Sequence, residues 1–156
     1  MIIMKNPLIL LPALAMLTTA SLACDLKVES AWIRVAPGNA TAMAGYAVLG
    51  NAGSKPLGVA GAQSAAFARV ELHESLVENG MARMRPIGSL ELAPGARVEF
   101  APGGKHFMLM QPKAALRSGD VVAVRIKDST GCETIADFKV SSMGPPAAAG
   151  SAAHQH

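Results

Sequence analysis

Apolar and polar side chains alternate in short runs through the middle of this chain, and clusters of Gly, Pro, Asn, Asp and Ser separate the runs. Alternation with a period of two is the mark of a strand with one buried face. It predicts strands over 26–34, 41–49, 56–62, 69–76, 81–85, 97–100, 106–110, 121–127 and 133–140. The separating clusters at 37–39, 51–54, 78–80, 94–95, 102–104 and 128–131 are rich in residues that tolerate turn geometry. No long segment of this region repeats with helical spacing, although 63–68 could close a single turn. Many short strands with turns at close intervals predict an all-β fold, a sandwich or a barrel.

The two ends break the pattern. Residues 1–23 carry a lone Lys5, an apolar run from Leu8 to Leu17, and small residues ending at Ala23. This is the three-part form of a secretory signal peptide, with cleavage expected after Ala23. The apolar run is shorter than the roughly 20 residues that a permanent membrane helix needs. Residues 24–140 then form the folded domain. Residues 141–156 are mostly Ala, Gly, Pro and Ser and hold too little apolar bulk to pack, so a flexible tail is expected there.

Export changes how composition and charge are read. Loss of Lys5 takes the formal charge from +3 to +2, with 13 basic against 11 acidic side chains, and the basic residues are scattered. That is no footprint for nucleic acid. The two cysteines, Cys24 and Cys132, are expected to form a disulfide in an oxidising compartment. A rival reading makes Cys24 a lipid-anchored first residue. Ser21-Leu22-Ala23-Cys24 resembles a lipobox, with Ser where Leu is usual.

The candidate chemistry lies in two segments. Asn79-Gly80 stands between two strand-like runs and is a strong signal for a two-residue hairpin turn. Such a turn pairs Glu78 with Met81 and Ser75 with Met84. His73 shares a face with Ser75, which makes His73 and Met84 diagonal neighbours, roughly 7–8 Å apart at Cβ. Val70 and Leu72 take the other face, toward the core. In the second segment, Phe107 and Leu109 point one way and His106 and Met108 the other. Two imidazoles and two thioethers make a neutral, soft donor set suited to Cu(I). Zinc sites favour Cys, His and carboxylates. A blue-copper site needs a Cys thiolate beside its histidines, and neither cysteine stands in such a context. Met43 and Met81 are read as packing residues, and Met110 as packing or, less favourably, an auxiliary ligand.

The spacing is ten residues between His73 and Met84, twenty-one to His106, and one to Met108. With Ala31-Trp32-Ile33-Arg34, Met43-Ala44-Gly45-Tyr46, Arg83-Met84-Arg85-Pro86 and Ala101-Pro102-Gly103-Gly104, it resembles the bacterial periplasmic copper chaperone family PCu(A)C over about residues 26–140. The resemblance implies a cupredoxin-like β-sandwich and a Cu(I) site at His73, Met84, His106 and Met108. It also implies a periplasmic, monomeric carrier delivering copper for cytochrome c oxidase assembly, its partner an oxidase subunit or another copper chaperone. Glu74 departs from the Met or Thr usual after the first histidine. Some members bind a second copper in a His- and Met-rich tail; Met143, His154 and His156 are a sparse version of one. Two other readings are an exported domain with a metal-dependent or thiol redox activity, and an interaction module whose Met and His residues only pack. The cysteines form no C-x-x-C redox motif.

Overall fold

A computed structural model describes residues 23–145. The expected signal peptide, apart from Ala23, and the tail beyond Pro145 lie outside the described residues. The strands are β1 (Leu26–Arg34), β2 (Ala42–Asn51), β3 (Leu57–Gln63), β4 (Phe67–Glu78), β5 (Met81–Pro86), β6 (Leu90–Leu92), β7 (Arg97–Phe100), β8 (Lys105–Pro112), β9 (Val121–Asp128) and β10 (Glu133–Ser141). Nine of them fall on the expected segments. β6 was not expected; its three residues are too few to display a period. No helix among the described residues is long and apolar enough to cross a membrane.

Seven strands close on themselves in the order β4-β8-β2-β1-β10-β9-β3, and β3 returns to β4 through Ala62 and Val70. Only β1 and β10 run parallel. The short strands extend edges of this ring: β5 continues along β4, β6 along β3 and β7 along β2. Closure removes most free edges, the usual hazard of a sheet protein.

The interior is built from the inward half of each alternation. β9 is the clearest case, with Val122, Val124 and Ile126 buried between exposed neighbours. Phe107 sits between Phe100 and Phe138, with ring centroids 4.8 and 5.5 Å away. The backbone of β2 passes so close to this stack that a Cβ at Gly45 would lie 2.9 Å from Leu109 Cδ1. Met43 is buried as expected, whereas Met81 is 56% exposed, so the packing role read for it is wrong. Met81 follows a turn that carries it beyond the barrel, where no core is present to receive it.

Cys24 and Cys132 are bridged, their Cα atoms 5.8 Å apart across a sequence separation of 108 residues. The buried Asp128 carboxylate shapes the loop that presents Cys132, accepting from the backbone N–H groups of Thr130 at 2.9 Å and Cys132 at 3.0 Å. The bridge occupies the thiol that a lipid on Cys24 would require.

Candidate metal centre

The β4–β5 hairpin turns at Asn79 and Gly80, both with positive φ, 52° and 75°. This is the type I′ geometry that matches strand twist, and it fixes the register. Glu78 pairs with Met81, Ser75 with Met84, and His73 with Pro86. On the other side of β4, His73 pairs with His106 and Glu71 with Met108 of β8. The core anchors both strands from beneath: Val70 and Leu72 under β4, Phe107 and Leu109 under β8. His73, Met84, His106 and Met108 therefore share the outer face of three adjacent strands. His73 lies in mid-strand, because β4 runs on to Glu78 after its pairing with β8 stops at Glu74.

The turn before β8 aims His106. Gly104 N–H donates to Ala101 O at 3.0 Å, with Pro102 and Gly103 between, and Gly103 has a φ of 85°. This is a type II turn, with Pro and Gly in the positions that geometry requires. Gly104 O then accepts from Ser75 N–H on β4 and from the His106 ring at Nδ1, both at 3.1 Å. A carbonyl only accepts, so Nδ1 carries the proton and Nε2 keeps its lone pair.

His73 is set in the opposite sense. Its Nε2 lies 2.9 Å from Glu71 Oε2, so Nε2–H donates to the carboxylate and Nδ1 is left bare. Arg69 Nε holds the other oxygen of Glu71 at 2.7 Å. The hydrogen bond from His73 holds the Glu71 carboxyl below its usual range, with Arg69 assisting against the effect of burial. The bare nitrogens, His73 Nδ1 and His106 Nε2, are both buried and have no hydrogen-bond partner. Buried polar atoms are rarely left unpaired, and one that is asks for an explanation. Here two such lone pairs sit on rings whose centroids are 5.9 Å apart.

Exposure differs across the four. The His106 residue is 4% exposed and the His73 side chain 12%, whereas Met84 is 53% exposed. Met108 is intermediate. Met110, one pleat beyond Met108, gives its sulfur to Arg69 Nη2 at 3.0 Å and so is already engaged. Glu74 lies on the reverse side of the hairpin, bonded to Lys105 at 2.8 Å. Among the described residues no three His, Cys, Asp or Glu side chains cluster as a metal site. Glu71, Arg69 and the Gly104 carbonyl were missed from sequence. The spacing Arg69-x-Glu71-x-His73, which puts all three on one strand face, was the signal available.

The fold is shared with solved structures of PCuAC domains. The copper-bound PCuAC domain from PmoF2 superposes with a TM-score of 0.64 at 24% identity, covering 76% of this chain and 93% of that one. Apo-DR1885 from Deinococcus radiodurans does so with a TM-score of 0.59 at 23% identity, covering 90% and 93%. At this level of identity the likeness speaks for the fold. In sequence, the chain is 36% identical over 122 residues to "Putative lipoprotein Lxx21020" of Leifsonia xyli, covering 78% of this chain and 72% of that protein. The profile of the family described as "Putative lipoprotein LpqE-like" matches residues 26–140, the whole barrel. The chain belongs to the LpqE-like family.

Proposed function

We propose that this protein is an exported, non-enzymatic Cu(I) carrier, in which His73, Met84, His106 and Met108 hold one copper ion as cargo. The observation that carries the reading is the pair of buried, partnerless nitrogens, His73 Nδ1 and His106 Nε2, on adjacent strands whose shared face also bears Met84 and Met108. A neutral N2S2 set matches the low charge and softness of Cu(I). Thioethers also survive an oxidising compartment, where a free thiol would be lost to a disulfide. Two solved structures of the same fold are copper-loaded forms, the copper-bound PCuAC domain from PmoF2 and CuI-DR1885 from Deinococcus radiodurans.

The protein's residues divide the work. Glu71 and the Gly104 carbonyl orient the rings and fix which nitrogen is free, the role that partners of ligating histidines have in metal sites generally. The two histidines, close to fully buried, hold the ion from below. Met84, the most solvent-exposed donor, is the one that an acceptor reaches first. The cargo passes to a copper-accepting protein, such as a cytochrome oxidase subunit or another copper chaperone, in cytochrome c oxidase assembly. The leader expected over residues 1–23 and the Cys24–Cys132 bridge support export to the periplasm, where the carrier is read as a monomer.

The test is titration of the purified domain with Cu(I) against a competing chelator, with X-ray absorption on the loaded form. One ion per domain with two nitrogen and two sulfur neighbours is expected. His106→Ala and Met84→Ala should each weaken binding. Unchanged affinity in both variants would defeat the proposal.

A further inference from the structure

β5 ends the strand path and, among the described residues, pairs only with β4. All six of its residues are exposed. The direction of its backbone groups follows from the ladder. Ile87 N–H donates to Leu72 O at 2.7 Å, and the residues flanking a two-residue turn form a hydrogen-bonded pair. Met81, Arg83 and Arg85 therefore turn their N–H and C=O groups toward β4, while Ala82 and Met84 turn theirs outward. Pro86, which has no N–H, closes this edge. The free edge is short, and it is centred on the backbone of an exposed proposed ligand.

Its charges bear on what could occupy it. Arg83 and Arg85 have side chains 62% and 63% exposed, and their nearest carboxylates, Glu78 and Glu74, lie 3.7 and 3.9 Å away, outside hydrogen-bond distance. Lys105 makes the closer contact to Glu74. Both guanidinium groups are thus only loosely ion-paired, and keep their hydrogen-bond donors for an incoming acid that can displace Glu78 and Glu74. A second copy of this chain, pairing edge to edge, would set these arginines against each other, and like charges opposed across strands destabilise. The face bearing Met84 is different: Ser75, Val77 and Ala82 around it are uncharged, and Val77 is 77% exposed.

We propose that this edge docks an extended acidic strand of the copper acceptor, with Asp or Glu opposite Arg83 and Arg85 and a Met, Cys or His between them opposite Met84. The inference rests on the carrier reading. Strand addition supplies main-chain hydrogen bonds, and alternate side chains supply specificity. A residue directly opposite Met84 would place its Cβ about 4.5–5.5 Å from that of Met84, on the metal-bearing face. Its acidic neighbours would fall on the other face, with the arginines. The copper–thioether bond of Met84 is then replaced by a bond to the incoming donor. No electron moves and Cu(I) stays Cu(I). Where the donor is a thiol, it binds as thiolate and its proton passes to water.

The probe is a pair of end-blocked pentapeptides, Thr-Glu-Met-Glu-Thr and Thr-Lys-Met-Lys-Thr, titrated into isotopically labelled apo and Cu(I)-loaded protein. Amide shifts should concentrate at Ala82, Arg83 and Met84 with the acidic peptide in both forms. The basic peptide should bind about tenfold more weakly, since two exposed ion pairs become two repulsions. Ala82→Pro removes one outward N–H and leaves the β4 ladder intact, and should weaken acidic-peptide binding about fivefold, the value of one hydrogen bond. A double Arg83→Glu, Arg85→Glu variant should reverse the peptide preference and cover the case in which the proline variant misfolds. No binding of the acidic peptide, equal binding of both, or shifts centred elsewhere overturns the inference. Copper binding without edge binding removes the docking strand and leaves the carrier. Edge binding by a protein that holds no Cu(I) removes the carrier.

Discussion

The β9–β10 and β4–β5 hairpins are both antiparallel pairs of neighbouring strands, and they are opposite in circumstance. β9 alternates exposed and buried residues along its length, and its partner buries Phe138 and Val140. The loop between them is held by Asp128 and stapled to the segment just before β1 through Cys132. β5 buries nothing, and past Glu74 the hairpin projects beyond its pairing with β8. One hairpin is held by core and covalent bond; the other is held chiefly by its own ladder and turn. The difference places the proposed ligands on a gradient. His106 rests on the barrel beside Phe107, while Met84 sits on the limb that carries no core. A carrier needs both, a floor rigid enough to define the donor set and a rim loose enough to let one donor go.

The largest effect should come from cutting the floor. Phe138→Ala removes a fully buried ring that meets Phe107 edge-on, and is expected to cost about 3–5 kcal/mol in urea unfolding. Val77→Ala, on the exposed limb, should stay within about 0.5 kcal/mol. Similar losses from the two would erase the contrast between the hairpins.

Next comes the staple. Replacing Cys24 and Cys132 together with Ser should cost about 2–4 kcal/mol, chiefly by freeing the unfolded chain. Copper affinity should be unchanged, because the bridge joins β10 and the start of β1, strands that supply no proposed ligand. A fall in affinity in the reduced protein would mean that the two sides of the barrel are coupled after all.

The two hairpins also differ in how far each could be read from sequence. The β4–β5 register followed from Asn79-Gly80, since that dipeptide leaves one low-strain turn and the turn dictates every pair. The inward sets at Val70 and Leu72 and at Phe107 and Leu109 followed from alternation. That β4 lies beside β8 did not follow. Local pattern states which face a residue takes, not which distant strand becomes its neighbour, so bringing His73 and His106 to one site rested on the family resemblance alone. The exposure of Met81 and the existence of β6 were missed for related reasons. A hydrophobic side chain does not reveal whether a core reaches it, and three residues reveal no period. The Glu71–His73 bond was overlooked because Glu71 reads as an ordinary outward charge until its neighbours are placed.

That bond allows a finer test of what makes the floor rigid. Glu71→Gln keeps an acceptor for His73 Nε2–H and removes the charge that Arg69 holds; Glu71→Leu removes both. Changes in partners of metal-binding histidines generally cost 10–100-fold in affinity. About tenfold is expected for the Leu variant and less for Gln. Nitrogen NMR of the apo protein checks the cause: His73 should be protonated at Nε2 in the parent and in the Gln variant, and a mixture of tautomers in the Leu variant. An unaltered tautomer in the Leu variant would show that Glu71 does not orient the ring.

The smallest effect belongs to an ion pair on the rigid side, remote from the ligands. Arg97 of β7 reaches across β2 to Glu29 of β1 with its two terminal nitrogens, Nη1 and Nη2. Its hydrogen bonds, and after them its charge, hold the Glu29 carboxyl below the ordinary range. A carboxyl lowered in the folded state stabilises fully above its unfolded pKa, about 4.3 for Glu, and the contribution disappears as pH falls through the folded value. Glu29→Gln should therefore lower Tm slightly at pH 7, with the gap to the parent closing below pH 4. Both partners are solvent-exposed, so salt should narrow the gap at pH 7 as well. A gap that persisted in acid would assign the effect to packing of the Glu29 side chain against β2. Exposed contacts on the rigid side would then add to its stability as its core does, and the contrast with the β4–β5 limb would rest on more than burial and a disulfide.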